Sequence, residues 1–263
     1  MITDTKPTLN LAESGNCLKQ LLNDVFLGSY KDYIPLIEDK SLDLVITDPP
    51  YWHKKSPGKP YSERATYETE SKFANSELYK ADGFMMKNMS DFTDKDVELF
   101  LNLLKPKMKI MNAYIFCNDT LVPYYCMWAE KNKLLFSILV WEKPLSIINK
   151  NRFSQNIEYI VRIYDYGTAL NSLKENKFYN KVKKYNITDK VHPTQKPINL
   201  IREIIKLSSK ENDLIADFFM GSFTTAVASF KEKRNFIGCE INKEIHKLGN
   251  ERLKSEVSQL TFF

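Results

Sequence analysis

The chain has 263 residues, 43% of them apolar and 27% charged, with a formal net charge of +5. That balance fits a globular protein built on one large domain, or a domain carrying an inserted subregion. Four cysteines (Cys17, Cys117, Cys126, Cys239) and three histidines (His53, His192, His246) are scattered along it, which argues against a disulfide framework or a metal cluster and for reduced thiols in a cytoplasm. Residues 1–10 lack a basic start leading into an apolar run, and no stretch reaches membrane-spanning length, so neither export nor contact with a bilayer is expected.

In chain order, residues 42–47 (Leu-Asp-Leu-Val-Ile-Thr) form the first clear strand candidate, and Asp48-Pro49-Pro50-Tyr51 follows directly. A double proline permits neither helix nor ladder to continue. A carboxylate, a main-chain carbonyl and an aromatic ring are thereby held on a stiff loop at a strand's carboxyl end, where open α/β sheets place their chemistry. Such a loop suits a flat ring bearing an exocyclic amino group. Residues 52–91 mix Pro, Gly, charge and aromatics, and a loop that long within a compact domain is usually functional or disordered.

Thr93-Asp-Lys-Asp96 reads as a capping box that opens a helix through Val97, Phe100, Leu101 and Leu104, with Pro106 as its stop. Further strands are expected at 110–117, 134–141, 157–163, 213–218 and 235–241. Pro197 begins a helix over 198–206, and Ile241, Ile245 and Leu248 give the last helix its stripe. Strands alternating with helices predict an α/β fold with a doubly wound, mostly parallel sheet. Residues 143–190 hold ten Lys/Arg against four acids, a local +6 while the remainder sums to −1. This segment reads as an insertion whose basic field could follow a phosphate backbone, or as a solvated lysine-rich face.

Residues 214–228 read as strand, glycine turn and helix around Asp217 and Gly221, and the strand ending in Glu240 comes some 20 residues later. Glycine lets a ligand approach the backbone, and an acid closing the next strand can accept both hydroxyls of a ribose.

Together, Asp48-Pro-Pro-Tyr51, His192-Pro-Thr-Gln-Lys-Pro197 and Asp217-Phe-Phe-Met-Gly-Ser-Phe-Thr-Thr225 resemble the beta group of DNA amino-methyltransferases, in which the catalytic tetrad precedes the cofactor motif. Gly15-Asn-Cys-Leu18, Trp141-Glu-Lys-Pro144, Asn151-Arg-Phe153 with Glu158, and Lys233–Glu240 extend the similarity over about residues 14–254. The resemblance implies a circularly permuted, Rossmann-like methyltransferase fold. In it, 1–142 is the catalytic part with a mobile loop at 52–91, 143–190 is an inserted target-recognition region, and 191–263 is the cofactor-binding part. It implies methyl transfer from S-adenosylmethionine to N6 of a flipped adenine in double-stranded DNA, with N4 of cytosine as the alternative and a binding-only relative as another. Homodimerisation and a paired restriction enzyme stay open.

By the same resemblance, Asp48 and the Pro49 carbonyl hold the amino group on the loop that Pro50 stiffens, and Tyr51 stacks on the base. Asn16 and Cys17 lie beside the cofactor's adenine, and Glu240 binds its ribose. Phe219 packs against the cofactor, Gly221, Ser222, Thr224 and Thr225 surround its methionine end, and Asp217 belongs to the same cofactor-binding set. The hexapeptide His192–Pro197 contributes Thr194 and Lys196 to the methionine carboxylate. Lys143, Lys150, Arg152, Lys181, Lys183 and Lys184 are the candidate DNA contacts. The family usually has Pro at 218, Gly at 223 and Asp at 16, where this chain has Phe218, Phe223 and Asn16. A phenylalanine forced to φ > 0 costs on the order of 1–2 kcal/mol; where close approach governs instead, its ring would crowd the methionine tail.

Overall fold

The computed structural model describes residues 22–51, 92–143, 153, 156–188 and 195–260. Asn16, Cys17, Lys150, Arg152, His192, Thr194 and the 52–91 loop lie outside them. The strands are β1 (Asp24–Leu27), β2 (Leu44–Thr47), β3 (Asn112–Cys117), β4 (Leu135–Glu142), β5 (Ile157–Tyr164), β6 (Val182–Lys184), β7 (Leu214–Asp217) and β8 (Asn235–Glu240). The helices are α1 (Tyr30–Tyr33), α2 (Asp94–Leu104), α3 (Val122–Lys131), α4 (Ile198–Ser208), α5 (Thr224–Lys231) and α6 (Lys243–Leu260). Among the described residues no helix is long and apolar enough to cross a membrane.

The eight strands form one sheet in the order β1-β8-β7-β2-β3-β5-β4-β6. All neighbours pair in parallel except β5, which runs antiparallel to both β3 and β4. The expected parallel, doubly wound sheet is therefore present, with one inverted strand. Within the expected insertion at 143–190, the strand expected at 157–163 lies inside the sheet as β5 and residues 182–184 extend its edge, while residues 165–181 between them hold only a short 3-10 turn. The consecutive buried residues Ile160–Ile163 suit an inner strand covered on both faces.

Side-chain alternation divides the core. Val45, Ala113, Ile115, Cys117, Ala216 and Ile237 pack with Phe100, Leu101 and Trp128 on one face. Leu44, Ile46, Tyr114, Phe116 and Ile160 face Leu200, Ile201, Ile204 and Ile205 of α4 on the other. The capping box of α2 forms as read, with the Thr93 backbone N–H donating to Asp96 Oδ2 at 3.0 Å. Pro106 falls in a 3-10 turn directly after that helix. The last helix departs from its expected stripe: Ile241 precedes it and is 65% exposed, while Ile245 and Leu253 are its buried large apolar residues among those described.

Phe223 does adopt the left-handed conformation (φ 60°, ψ 28°) at the N-terminus of α5 and is fully buried. Its ring packs with Val25, Val227, Phe236 and Leu253 and meets His246 edge-on at 5.8 Å. Gly249 of α6 makes the room: a Cβ there would lie 2.2 Å from the Phe223 ring. Relief of strain recovers ~1–2 kcal/mol, whereas deleting a buried phenyl group costs ~3–5 kcal/mol. Phe223→Gly should therefore lower stability by about 2 kcal/mol in denaturant unfolding. Gly249→Ala should cost ~1–3 kcal/mol in the parent chain and nothing in the Phe223→Gly background. Equal costs in both backgrounds would show that the two positions are not packed together.

Candidate active site

β2 and β7 are adjacent and parallel, with Leu44 opposite Ile215 and Val45 opposite Ala216. Their carboxyl ends, at Thr47 and Asp217, therefore open side by side. From β7 the sheet grows outward through β8, and from β2 it grows the opposite way through β3. This is the topological switch point at which such sheets bind ligands. The cleft there is lined by Asp48, Phe116 and Lys196 on one flank and by Phe219, Gly221 and Thr224 on the other.

Asp217 braces the two halves. Its Oδ1 accepts from Thr47 Oγ1 at 2.7 Å and from the Phe219 N–H at 3.1 Å, and its Oδ2 accepts from Thr225 Oγ1 at 2.7 Å. Burial pushes the carboxyl up to about 6, against the pull of those donors. Asp217 and Thr225 thus bond to each other and to the protein, shaping the turn from within. Past them, the backbone turns at Gly221 (φ 50°), and the side where a Cβ would stand is open, its nearest atom being the Phe219 carbonyl oxygen at 3.9 Å. The Gly221 N–H donates to Glu240 Oε2 at 2.8 Å, and Glu240 Oε1 accepts from the Asn242 N–H at 2.9 Å. The acid closing β8 is thereby fixed beside the glycine turn. Ser222 and Thr224 share a hydroxyl contact of 3.1 Å, and Arg252 donates to the Ser222 carbonyl at 2.6 Å.

On the other flank, charge is concentrated. Lys196, just ahead of α4 and buried, bonds Asp48 Oδ2 and sits 3.2 Å from Glu158 Oε2. Glu158 also accepts from the Tyr51 hydroxyl at 3.0 Å and pairs with Lys143 at 2.8 Å. The Lys196 ammonium lies 5.6 Å over the Tyr51 ring. Burial raises the Asp48 carboxyl, an effect that Lys196 opposes and Glu158 reinforces. Burial also works against the charge on Glu158, but Lys196 and Lys143 outweigh it and hold that carboxyl below its usual range. For Lys196 burial favours the neutral amine, yet its two carboxylates more than compensate and raise it. Asp48 Oδ1 is buried with no hydrogen-bond partner among the described residues. A buried carboxylate oxygen left so is costly unless something arrives to meet it.

Residues 42–251 match a protein-family model for DNA methylases of the N6/N4 type. The chain belongs to this DNA methylase family. Over 251 residues this methylase is 28% identical to the type II methyltransferase M2.DpnII of Streptococcus pneumoniae, covering 85% of this chain and 87% of that protein. A shorter stretch of 62 residues is 50% identical to the DNA adenine methyltransferase YhdJ of Escherichia coli, over 24% of this chain and 21% of that one. Among solved structures, the fold matches that of the M1.HpyAVI–SAM complex with a TM-score of 0.60 at 20% identity, over 87% of this chain and 98% of that one.

Within the methylase, the structure gathers Asp48, Lys196, Phe219, Gly221, Ser222 and Thr224 around one cleft, with Tyr51 beside Lys196 and with Pro49 and Pro50 between it and Asp48. Pro197 immediately precedes α4. Lys196, expected beside the methionine carboxylate, contacts Asp48 and Glu158, and Lys143, expected at DNA, pairs with Glu158. Lys183, read as a phosphate contact, is 3% exposed and bonds Glu203 Oε1 at 2.5 Å and the Phe178 carbonyl at 2.7 Å. Alternation along β6 turns Lys183 inward between the outward-facing Val182 and Lys184. Glu158 is the residue whose part in the site the sequence did not disclose; only its place in a family motif marked it. Lys183→Ala, which leaves the buried Glu203 without its cation and with only the Tyr185 hydroxyl as donor, should cost ~3–5 kcal/mol of stability while leaving the salt dependence of DNA binding unchanged. A flattened salt slope at intact stability would restore Lys183 to the DNA-contacting set.

Proposed function

We propose that the methylase transfers a methyl group from S-adenosylmethionine to the exocyclic N6 of adenine, in a base turned out of double-stranded DNA. The observation that carries this reading is the unpartnered Oδ1 of Asp48, a buried acceptor at the mouth of β2 across the cleft from the Gly221 turn. The residues present fit the cofactor: a glycine turn with space above it, a fixed acid at the end of the neighbouring strand, and an aromatic face at Phe219. Gly221, Ser222 and Thr224 would hold the methionine end and Glu240 the ribose, with Phe219 against the cofactor's flank. The cofactor supplies an electrophilic methyl group on a sulfonium.

An adenine amino nitrogen is a poor nucleophile because its lone pair is delocalised into the ring. Asp48 Oδ1 and the Pro49 carbonyl accept one amino proton each, which favours a pyramidal nitrogen with its lone pair aimed across the cleft. Positive charge grows on that nitrogen as the new bond forms. Acceptors fixed in advance therefore stabilise the transition state more than the ground state. Pro50 has no N–H with which to compete, and Tyr51 stacks on the extruded base. The likeness to the adenine methyltransferase YhdJ supports adenine as the target. The family also includes enzymes of the N4 type, whose amino group poses the same chemical problem.

Exposed Lys181 and Lys184 extend the basic side of the site, and the Lys184–Glu142 contact of 3.1 Å is a surface pair that phosphate can displace. Together they contribute affinity rather than sequence choice. Incubation with tritiated S-adenosylmethionine and mixed genomic DNA, followed by digestion to nucleosides, should yield labelled N6-methyladenine. Asp48→Ala should reduce incorporation by about 10³-fold or more. Label recovered as N4-methylcytosine would move the target to cytosine, and incorporation that survives Asp48→Ala would remove the mechanism. Replacing Lys181 and Lys184 together should lower the salt slope of DNA binding by up to about two. An unchanged slope would place the backbone contacts elsewhere. Since the Phe223 ring points into the α6 packing, Phe223→Gly should change cofactor affinity by less than about threefold in calorimetric titration.

A further inference from the structure

Two half-buried carboxylates, Asp48 and Glu158, share the Lys196 ammonium, and the division of contacts is unequal. Lys196 takes Oδ2 of Asp48 and leaves Oδ1 without a partner among the described residues. Glu158 fixes the ammonium from the far side at 3.2 Å, and its own position is fixed by Lys143 at 2.8 Å and by the Tyr51 hydroxyl at 3.0 Å. These groups come from separate elements. Asp48 continues the face of β2 that Leu44 and Ile46 present to α4, Glu158 stands opposite Trp141 on β5, and Lys196 leads into α4. Three parts of the fold therefore converge on one carboxylate.

We propose that Lys196, seated by Glu158, is a positioning residue for Asp48: it clamps Oδ2, keeps the carboxylate charged and presents Oδ1 to the amino proton of the target base. This rests on the methyl-transfer reading above and gives Lys196 a part in base activation instead of in holding the methionine carboxylate. A burial-induced rise in the proton affinity of Asp48 makes the clamp necessary, since a protonated Asp48 is a weaker acceptor for an N–H. The other titratable groups that act on Asp48 are Glu158 of β5, Tyr51 of its own loop, Cys117 of β3, Tyr125 of α3 and Asp217 of β7. Lys196 is the cation among them. Without it, Asp48 and Glu158 would repel each other, and the proton would fall to Asp48 because Lys143 still neutralises Glu158.

The sign follows. Asp48 must be ionised to act, so activity has an acid limb, and loss of Lys196 moves that limb to higher pH. Loss of the Glu158 charge removes a repulsion and moves it the other way. The full chain would be assayed with labelled cofactor and genomic DNA as wild type, Lys196→Gln and Glu158→Gln, recording kcat against pH and cofactor Kd by calorimetry. Lys196→Gln should lower kcat at neutral pH by about tenfold or more, with partial recovery at higher pH and the acid limb raised by about one unit or more. Cofactor Kd should change by less than about threefold. Glu158→Gln should also lower kcat, because Lys196 and Tyr51 lose their anchor, but with the limb displaced to lower pH. A Lys196→Gln chain whose limb does not move and whose cofactor affinity falls by about tenfold or more would return Lys196 to the methionine carboxylate and overturn the inference. Should Lys196→Gln fail to fold by circular dichroism, Glu158→Gln decides alone, and an unchanged kcat there overturns it. Absence of transfer by the wild-type chain would instead sink the methyl-transfer reading itself.

Discussion

The Asp217 carboxylate, with hydroxyls bonded to it from two directions, is the constraint on which the site depends. Thr47 reaches it from β2 and Thr225 from α5, while the Phe219 amide closes the turn between them. β2 and β7 share few residues of ladder, with Leu44 and Val45 paired to Ile215 and Ala216. Side-chain bonding takes over where that ladder ends, at the level where the two ligand-facing loops diverge. Charge-assisted hydrogen bonds in a dry setting are strong and directional. They fix the separation between the loop that carries Asp48 and the turn that carries Gly221, and a group-transfer site needs that separation constant.

Much of this was legible in the sequence for simple reasons. A double proline ending an apolar run, a capping box and an acid closing a strand are local signals, and each depends on a few adjacent residues. Less legible was whatever depended on pairing between distant segments. β5 reads as one more strand, but its direction is invisible until its partners are known, so residues 143–190 look like an insertion. Lys183 and Lys184 are chemically alike in sequence, and only the pleat of β6 decides that one is buried against Glu203 while the other is exposed. Glu158 is silent for the same reason: its partners Lys196, Lys143 and Tyr51 come together only through the sheet.

Phe223 shows how a departure from a family pattern is absorbed. The backbone does take the left-handed conformation that favours glycine, so the strain is present. What the residue gains is burial of a whole ring in a pocket left by Gly249, against Phe236 and His246. The glycine has in effect moved from the turn to the helix that packs on it. The cleft side of the turn keeps its shape, since the ring is directed to the opposite side.

The antiparallel setting of β5 has a consequence for how such a methylase could change its target. Glu158 is locked in register with Trp141 and its strand is flanked on both sides, so a single-residue insertion within β5 would turn the carboxylate to the other face of the sheet. The segments before residue 157 and after residue 164 are free of that restriction, because length changes there leave the strand's phase alone. The inverted strand therefore acts as a phase lock: it holds Glu158 to one face of the sheet whatever the length of the segments that flank it.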